Sequence, residues 1–213
     1  MGSIKQGILG GFSGTVGPVV GASWKGITYM RGKATHVKNS KTLAQLKQRQ
    51  RFSLSIKFVS KITAYINYGY KNYAVKQTAS NAAVSYIMHN NCITGEYPNY
   101  SIDFSVLKVA LGQLKKAEAP SIALSSGTAT CTWTDNSGNG NAQATDLAMV
   151  LLYNKDKAEA EYDIGNATRA DHTLSFSYPN NWQNDNVVAY LSFMSEDSKL
   201  VAESEYLGEV VCN

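Results

Sequence analysis

The sequence predicts an α+β protein in two parts. Residues 1–117 are expected to form a glycine-rich arm, a helical hairpin and a strand or two, and residues 118–213 an all-β sandwich. Three observations carry this. Apolar residues are mixed with dense glycine at the start, apolar residues recur at threes and fours from Leu43, and short β-branched runs recur every ten or so positions after Pro120. The 213 residues are 44% hydrophobic and 17% charged, which argues against a disordered chain and against a disulfide scaffold.

The first 32 residues hold nine of the 17 glycines, interleaved with Ile4, Ile8, Leu9, Phe12, Val16 and Trp24 among other apolar residues. Glycine at that density prevents a stable helix, yet the apolar content is too high for a solvated linker. Two readings fit: an extended assembly arm that lies on another surface, and an irregular segment folded onto its own domain.

A helix is predicted from Thr42, with Asn39, Ser40 or Thr42 as cap and Leu43, Leu46, Leu54, Phe58, Ile62, Tyr65 and Ile66 on one face. Lys47, Arg49, Arg51, Lys57 and Lys61 form its expected basic face, where Tyr65, Tyr68, Tyr70 and Tyr73 would stack against bases if the partner were nucleic acid. A second helix is expected over 80–90, paired with the first across 68–77. The alternation from Tyr100 to Leu111 reads as one strand or a hairpin arm.

Seven strand signals follow: 122–124, 128–134, 147–153, 158–164, 173–178, 187–194 and 201–211. With turn residues between them they predict a sandwich of immunoglobulin or fibronectin type III-like layout, whose core aromatics would be Trp133, Tyr153 and Tyr190. Trp133 shares one face with Ala129 and Cys131 at period 2.

Charge divides the chain. Residues 1–116 carry 16 Lys and Arg against two acids, a net +14, and residues 117–213 carry four against 14, a net −10. Such poles suit a basic region facing a polyanion, or two complementary surfaces that meet.

Chemistry is scarce. Cys92, Cys131 and Cys212 read as buried or free thiols, with a Cys131–Cys212 bridge left open. His36, His89 and His172 have no metal-ligand spacing, no serine sits in a G-x-S-x-G elbow, and no phosphate-binding glycine motif occurs. Asp135, Ser137, Asn139 and Asp146 approach calcium-loop spacing, but with one acid too few near the start and Asp where a bidentate Glu belongs. A sandwich turn is the better account. No enzyme activity and no cofactor are expected. The chain shows no signal peptide and no membrane-spanning run, so cytoplasmic synthesis is expected, followed by release in a virion or other particle.

The opening Gly2-Ser3-Ile4-Lys5-Gln6-Gly7-Ile8-Leu9-Gly10-Gly11-Phe12-Ser13-Gly14 continues to Gly21-Ala22-Ser23-Trp24-Lys25-Gly26. With Thr42-Leu43-Ala44-Gln45-Leu46, Asn81-Ala82-Ala83, Thr94-Gly95 and Ser195-Glu196-Asp197, it resembles a family of Bacteroidota proteins catalogued as domain of unknown function 6266. Ser40-Lys41 departs from the Pro and Arg expected there, which loosens the helix entry. The resemblance brings no activity, so no catalytic residue transfers.

Asn39 through Arg49 are also similar to segments of phage-like particle proteins. That likeness implies a non-enzymatic structural protein that assembles, as a homo-oligomer or with other particle subunits, into a phage-like or other multi-subunit particle. The alternatives are a glycan- or protein-binding module using the loops Asp135 to Asn141 and Asn180 to Asn186, the latter with Trp182, and nucleic-acid binding by the basic helix.

Overall fold

The computed structural model describes residues 2–4, 7, 10–36 and 41–212, and the chain separates into two compact units, Met1–Thr42 and Leu43–Asn213. Ile8, Leu9, Asn39 and Ser40 lie outside the described residues.

The first unit is a small antiparallel sheet of β1 (Ser3–Ile4), β2 (Phe12–Val16), β3 (Val19–Trp24) and β4 (Ile27–Gly32), paired in that order. Regular pairing here corrects both an extended arm and an irregular segment. The glycines sit where turns and close approach require them. Trp24 pairs with Ile27 across Lys25 and Gly26, both at positive φ, which is the tight hairpin turn that matches strand twist. A Cβ on Gly21 would overlap the Phe12 carbonyl of the neighbouring strand.

In the second unit, α1 (Leu43–Lys61) breaks at Ile62 and continues as α2 (Thr63–Gly69), so the single predicted helix is two. Thr63 and Ser60 turn their hydroxyls back onto helix carbonyls at this point. Then α3 (Ala79–His89) begins at Thr78, whose side chain accepts from the Asn81 amide. A short hairpin follows, β5 (Ile93–Glu96) and β6 (Asn99–Ile102).

The strand expected through Leu111 ends at Ile102. Asp103 accepts from the Ser105 amide and hydroxyl, forming a turn that takes the backbone out of extension.

Seven strands complete the unit: β7 (Glu118–Ser125), β8 (Thr128–Thr134), β9 (Leu147–Asn154), β10 (Glu159–Thr168), β11 (Thr173–Ser177), β12 (Asn186–Met194) and β13 (Glu205–Val211). They form two antiparallel sheets, β11-β8-β7 and β10-β9-β12-β13. This is the predicted sandwich: β8, β9, β11 and β12 lie within one residue of their expected bounds, while β7 starts four residues earlier and β10 ends four residues later. The seventh starts late, because Val201 and Ala202 make isolated bridges to Met194 and Leu114 instead of extending β13.

Side chains from both sheets interlock between them: Trp133, Cys131 and Leu174 from one, Val150, Leu191 and Phe193 from the other. Leu124 and Ala129 meet Leu152, Val187 and Ala189 in the same layer. The far face of the four-stranded sheet is covered as well. Met149, Leu151, Tyr153, Val188 and Tyr190 share one core with Phe58, Ile62, Tyr65 and Ile66 of the helices and with Ala83 and Ile87 of α3.

The unit therefore has three layers: helices, a four-stranded sheet and a three-stranded sheet. The boundary expected between 117 and 118 falls inside it, because residues on both sides of that point build one core. Trp133 is inter-sheet core as expected, its ring centroid 5.5 Å from that of Phe193. Tyr153 and Tyr190 are buried but face the helical layer. Tyr153 packs edge-on against Phe58 at 4.9 Å, and the Tyr190 hydroxyl donates to the Phe104 carbonyl at 2.7 Å.

Candidate interaction surfaces

On α1, at 3.6 residues per turn, Lys47, Arg51, Lys57 and Lys61 fall within about 120° of the helix circumference, and Arg49 lies outside that arc. Lys57 and Lys61, one turn apart, point to one side. Arg51 is partly buried and donates to the Met88 carbonyl at 3.4 Å.

Two of the expected stacking tyrosines are unavailable. Tyr65 and Tyr70 are fully buried, donating to the carbonyls of Met149 and Lys108, and burial pushes both phenols well above their ordinary range. Tyr68 and Tyr73 are exposed.

A feature that sequence reading missed lies between α1 and α3. Phe52, Ile56 and Val59 face Val84 and Met88 across an open groove of about 500 Å³, walled by serines, Asn81 and His89. The signal was present: Phe52 and Ile56, both exposed, are one helical turn apart, and so are buried Val84 and half-buried Met88.

The candidate calcium loop does not gather its residues into a ligand set. Asp135 accepts from the Ser137 amide at 2.8 Å and hydroxyl at 3.0 Å, and these bonds hold its carboxyl below the usual range. Asn139 is exposed, and Asp146 is buried at 1% side-chain exposure in an ion pair with Arg169. Among the described residues no three His, Cys, Asp or Glu side chains come close enough to hold a metal ion.

That ion pair is the centre of a buried network. Arg169 donates from Nε to Asp146, from Nη1 to the Asn136 side chain, and from Nη2 to the Lys115 carbonyl. Its guanidinium carbon lies 3.9 Å from the Phe193 ring centroid, and its own carbonyl accepts from Trp133 Nε1 at 2.8 Å. Burial lowers the Arg169 pKa, with Asp146 acting against it. The network ties the segment before β7 to both sheets, which is a structural task.

The loop over 180–186 offers no aromatic platform for a sugar. Trp182 is fully buried, stacks on Tyr178 at 6.2 Å and donates to the Glu159 carboxylate at 3.0 Å. The three cysteines are free and buried, so no bridge joins Cys131 to Cys212, and burial pushes the Cys131 thiol up to about 12. His36 and His172 are exposed, and His89 Nδ1 lies 2.7 Å from the Ser85 carbonyl.

The first unit exposes several large apolar side chains. Val16 is 56% exposed, Trp24 67%, Ile27 70% and Met30 71%, while Phe12 is half-buried.

The chain belongs to the family described as "Family of unknown function (DUF6266)", whose model matches residues 11–208. No curated protein matches it. Among solved structures it is similar to the fn3 domain of human collagen alpha-1(XX) chain, with 8% identity and a TM-score of 0.35, covering 47% of this chain and 88% of that one.

Proposed function

We propose that this protein is a non-enzymatic structural subunit whose N-terminal sheet joins it to further copies in a multi-subunit particle, phage-like or of another kind. The observation that carries the reading is the exposure of Trp24, Ile27 and Met30 on a regular sheet. Large apolar side chains held in a defined geometry, on a unit too small to cover them, mark a surface that another molecule completes. The opposite charges of the two halves would orient such a contact.

Sedimentation tests this. The full-length protein is expected to associate, and the triple substitution Trp24→Ser, Ile27→Ser and Met30→Ser to leave a monomer that melts as the parent does. A parent protein that stays monomeric at the highest soluble concentration contradicts the reading.

Nucleic-acid binding is a second reading, favoured by the net +14 of residues 1–116 and by exposed Lys47, Lys57 and Lys61. It requires a DNA or RNA mobility shift that weakens steeply with salt.

A further inference from the structure

Two free strand edges of opposite charge stand on this chain. β4 ends the order β1-β2-β3-β4, so its ladder runs along one side only, to β3, and all of its residues are exposed. Arg31 lies on it and Lys25 and Lys33 flank it. Residues 1–42 contain six Lys and Arg and no acid.

β10 ends the order β10-β9-β12-β13 and is paired only to β9. It carries Glu159, Glu161 and Asp163 at alternate positions and no Lys or Arg. Asp163 is buried and accepts from the Asn166 side chain, Glu159 is exposed and accepts from Trp182, and Glu161 is half-buried. No other sheet-ending strand of the sandwich matches it. β11 has no acid, β7 has Glu118 alone, and of the two acids of β13 Glu205 is half-buried and Glu209 is ion-paired with Lys155 at 2.7 Å.

An unpaired edge is a template for a further strand, and like charges directly opposite one another disfavour pairing. The accessible carboxylates Glu159 and Glu161 therefore disfavour pairing of the β10 edge with a second β10 and favour a cationic strand. Building on the assembly reading above, we propose that β4 of one copy adds as a fifth strand to the β10 edge of a second copy. Main-chain hydrogen bonds would supply adhesion, and Arg31, Lys25 and Lys33 against the β10 carboxylates the selectivity. Because the two edges differ, the contact is head-to-tail and propagates into a ring or a filament.

The test uses full-length protein, one batch in natural isotopes and one labelled with nitrogen-15, mixed under assembling conditions. A carbodiimide then joins amines to carboxylates at zero length, and the linked peptides are read by mass spectrometry. The expected result is mixed-isotope links from Lys25 or Lys33 to Glu159 or Glu161. Glu161→Lys should raise the dissociation constant roughly three- to tenfold, the range of one or two cross-strand charge pairs, and adding Arg31→Glu should restore it.

Links from these lysines to carboxylates elsewhere, with Glu161→Lys assembling as the parent, would overturn the β10 edge while leaving assembly through the N-terminal sheet intact. Links only within one isotope would overturn docking between copies. A parent chain that sediments as a monomer would overturn both proposals.

Discussion

β8 and β9 are neighbours in the chain but belong to different sheets, and their burial differs in kind. β8, Thr-Ala-Thr-Cys-Thr-Trp-Thr, alternates: Ala129, Cys131 and Trp133 are buried, while Thr128, Thr132 and Thr134 are exposed. β9, Leu-Ala-Met-Val-Leu-Leu-Tyr-Asn, is buried at every position after Leu147. One face of β8 meets water. Both faces of β9 meet protein, Val150 and Leu152 toward the other sheet and Met149, Leu151 and Tyr153 toward the helices. A strand covered on both sides reads as a continuous apolar run. The comparison teaches that unbroken apolarity in an antiparallel strand marks a third layer.

The largest single-residue effect tests what clamps the layers together. Arg169→Ala leaves Asp146 buried without its partner and strips the bond to the Lys115 carbonyl, so it should cost about 3–5 kcal/mol in chemical unfolding. Replacing Arg169 and Asp146 together by apolar residues should cost less than the sum of the two single changes. Additive costs would show that the pair is not coupled.

The next effect separates β9 from β8 directly. Leu151→Ala and Leu152→Ala alter opposite faces of one strand, and each should cost about 2–5 kcal/mol because each opens a cavity in a core. On β8 the pair splits: Trp133→Ala should cost about 3–5 kcal/mol, and outward Thr132→Ala within about 0.5 kcal/mol. Thermal melts of the four variants decide it, and a near-neutral Leu151→Ala would detach the helices from the sheet.

A smaller, pH-dependent effect lies at Glu205, where β13 starts. One carboxylate oxygen is buried without a partner, and desolvation raises the Glu205 pKa, with Lys116 and Lys108 opposing. Since the folded pKa exceeds the unfolded one, the penalty is absent below the unfolded pKa and grows as pH rises through the folded value. Glu205→Gln should therefore raise the melting temperature at pH 7 by a few degrees, about 1 kcal/mol, with the gain vanishing below about pH 4. A gain that persists unchanged in acid would assign it to packing instead.

The sandwich was legible because its strands are short, β-branched and bounded by turn residues, and Trp133 because period 2 put it with Ala129 and Cys131. The helices were legible from apolar spacing, though the break at Ile62 was not, since Ile62 itself continues the stripe. The single core was hidden by charge. The sign change near Lys116 suggested a boundary, but charge is a surface property, and beneath it Leu107, Val109 and Ala110 sit in the same core as Met149 and Val188. Continuous apolarity in β9 and β12 was the overlooked signal.

The calcium loop, the weaker reading beside a sandwich turn, rested on spacing alone, and spacing cannot reveal that Asp146 faces Arg169. Of the basic face, Arg49 falls outside the arc shared by Lys47, Arg51, Lys57 and Lys61, because the five cations were grouped by type and not by angle. The N-terminal strands were obscured by glycines that form turns at Gly17 and Gly26 and permit close packing at Gly21.

The most direct measurement compares residues 118–213 alone with residues 43–213. Removing the helices would expose Met149, Leu151, Tyr153, Val188 and Tyr190 on one sheet face, a patch a soluble monomer rarely tolerates. The longer fragment is expected to show dispersed amide resonances and one cooperative melt, and the shorter one to aggregate or to lack dispersion. A soluble 118–213 fragment that melts cooperatively near the temperature of 43–213 would contradict the three-layer account.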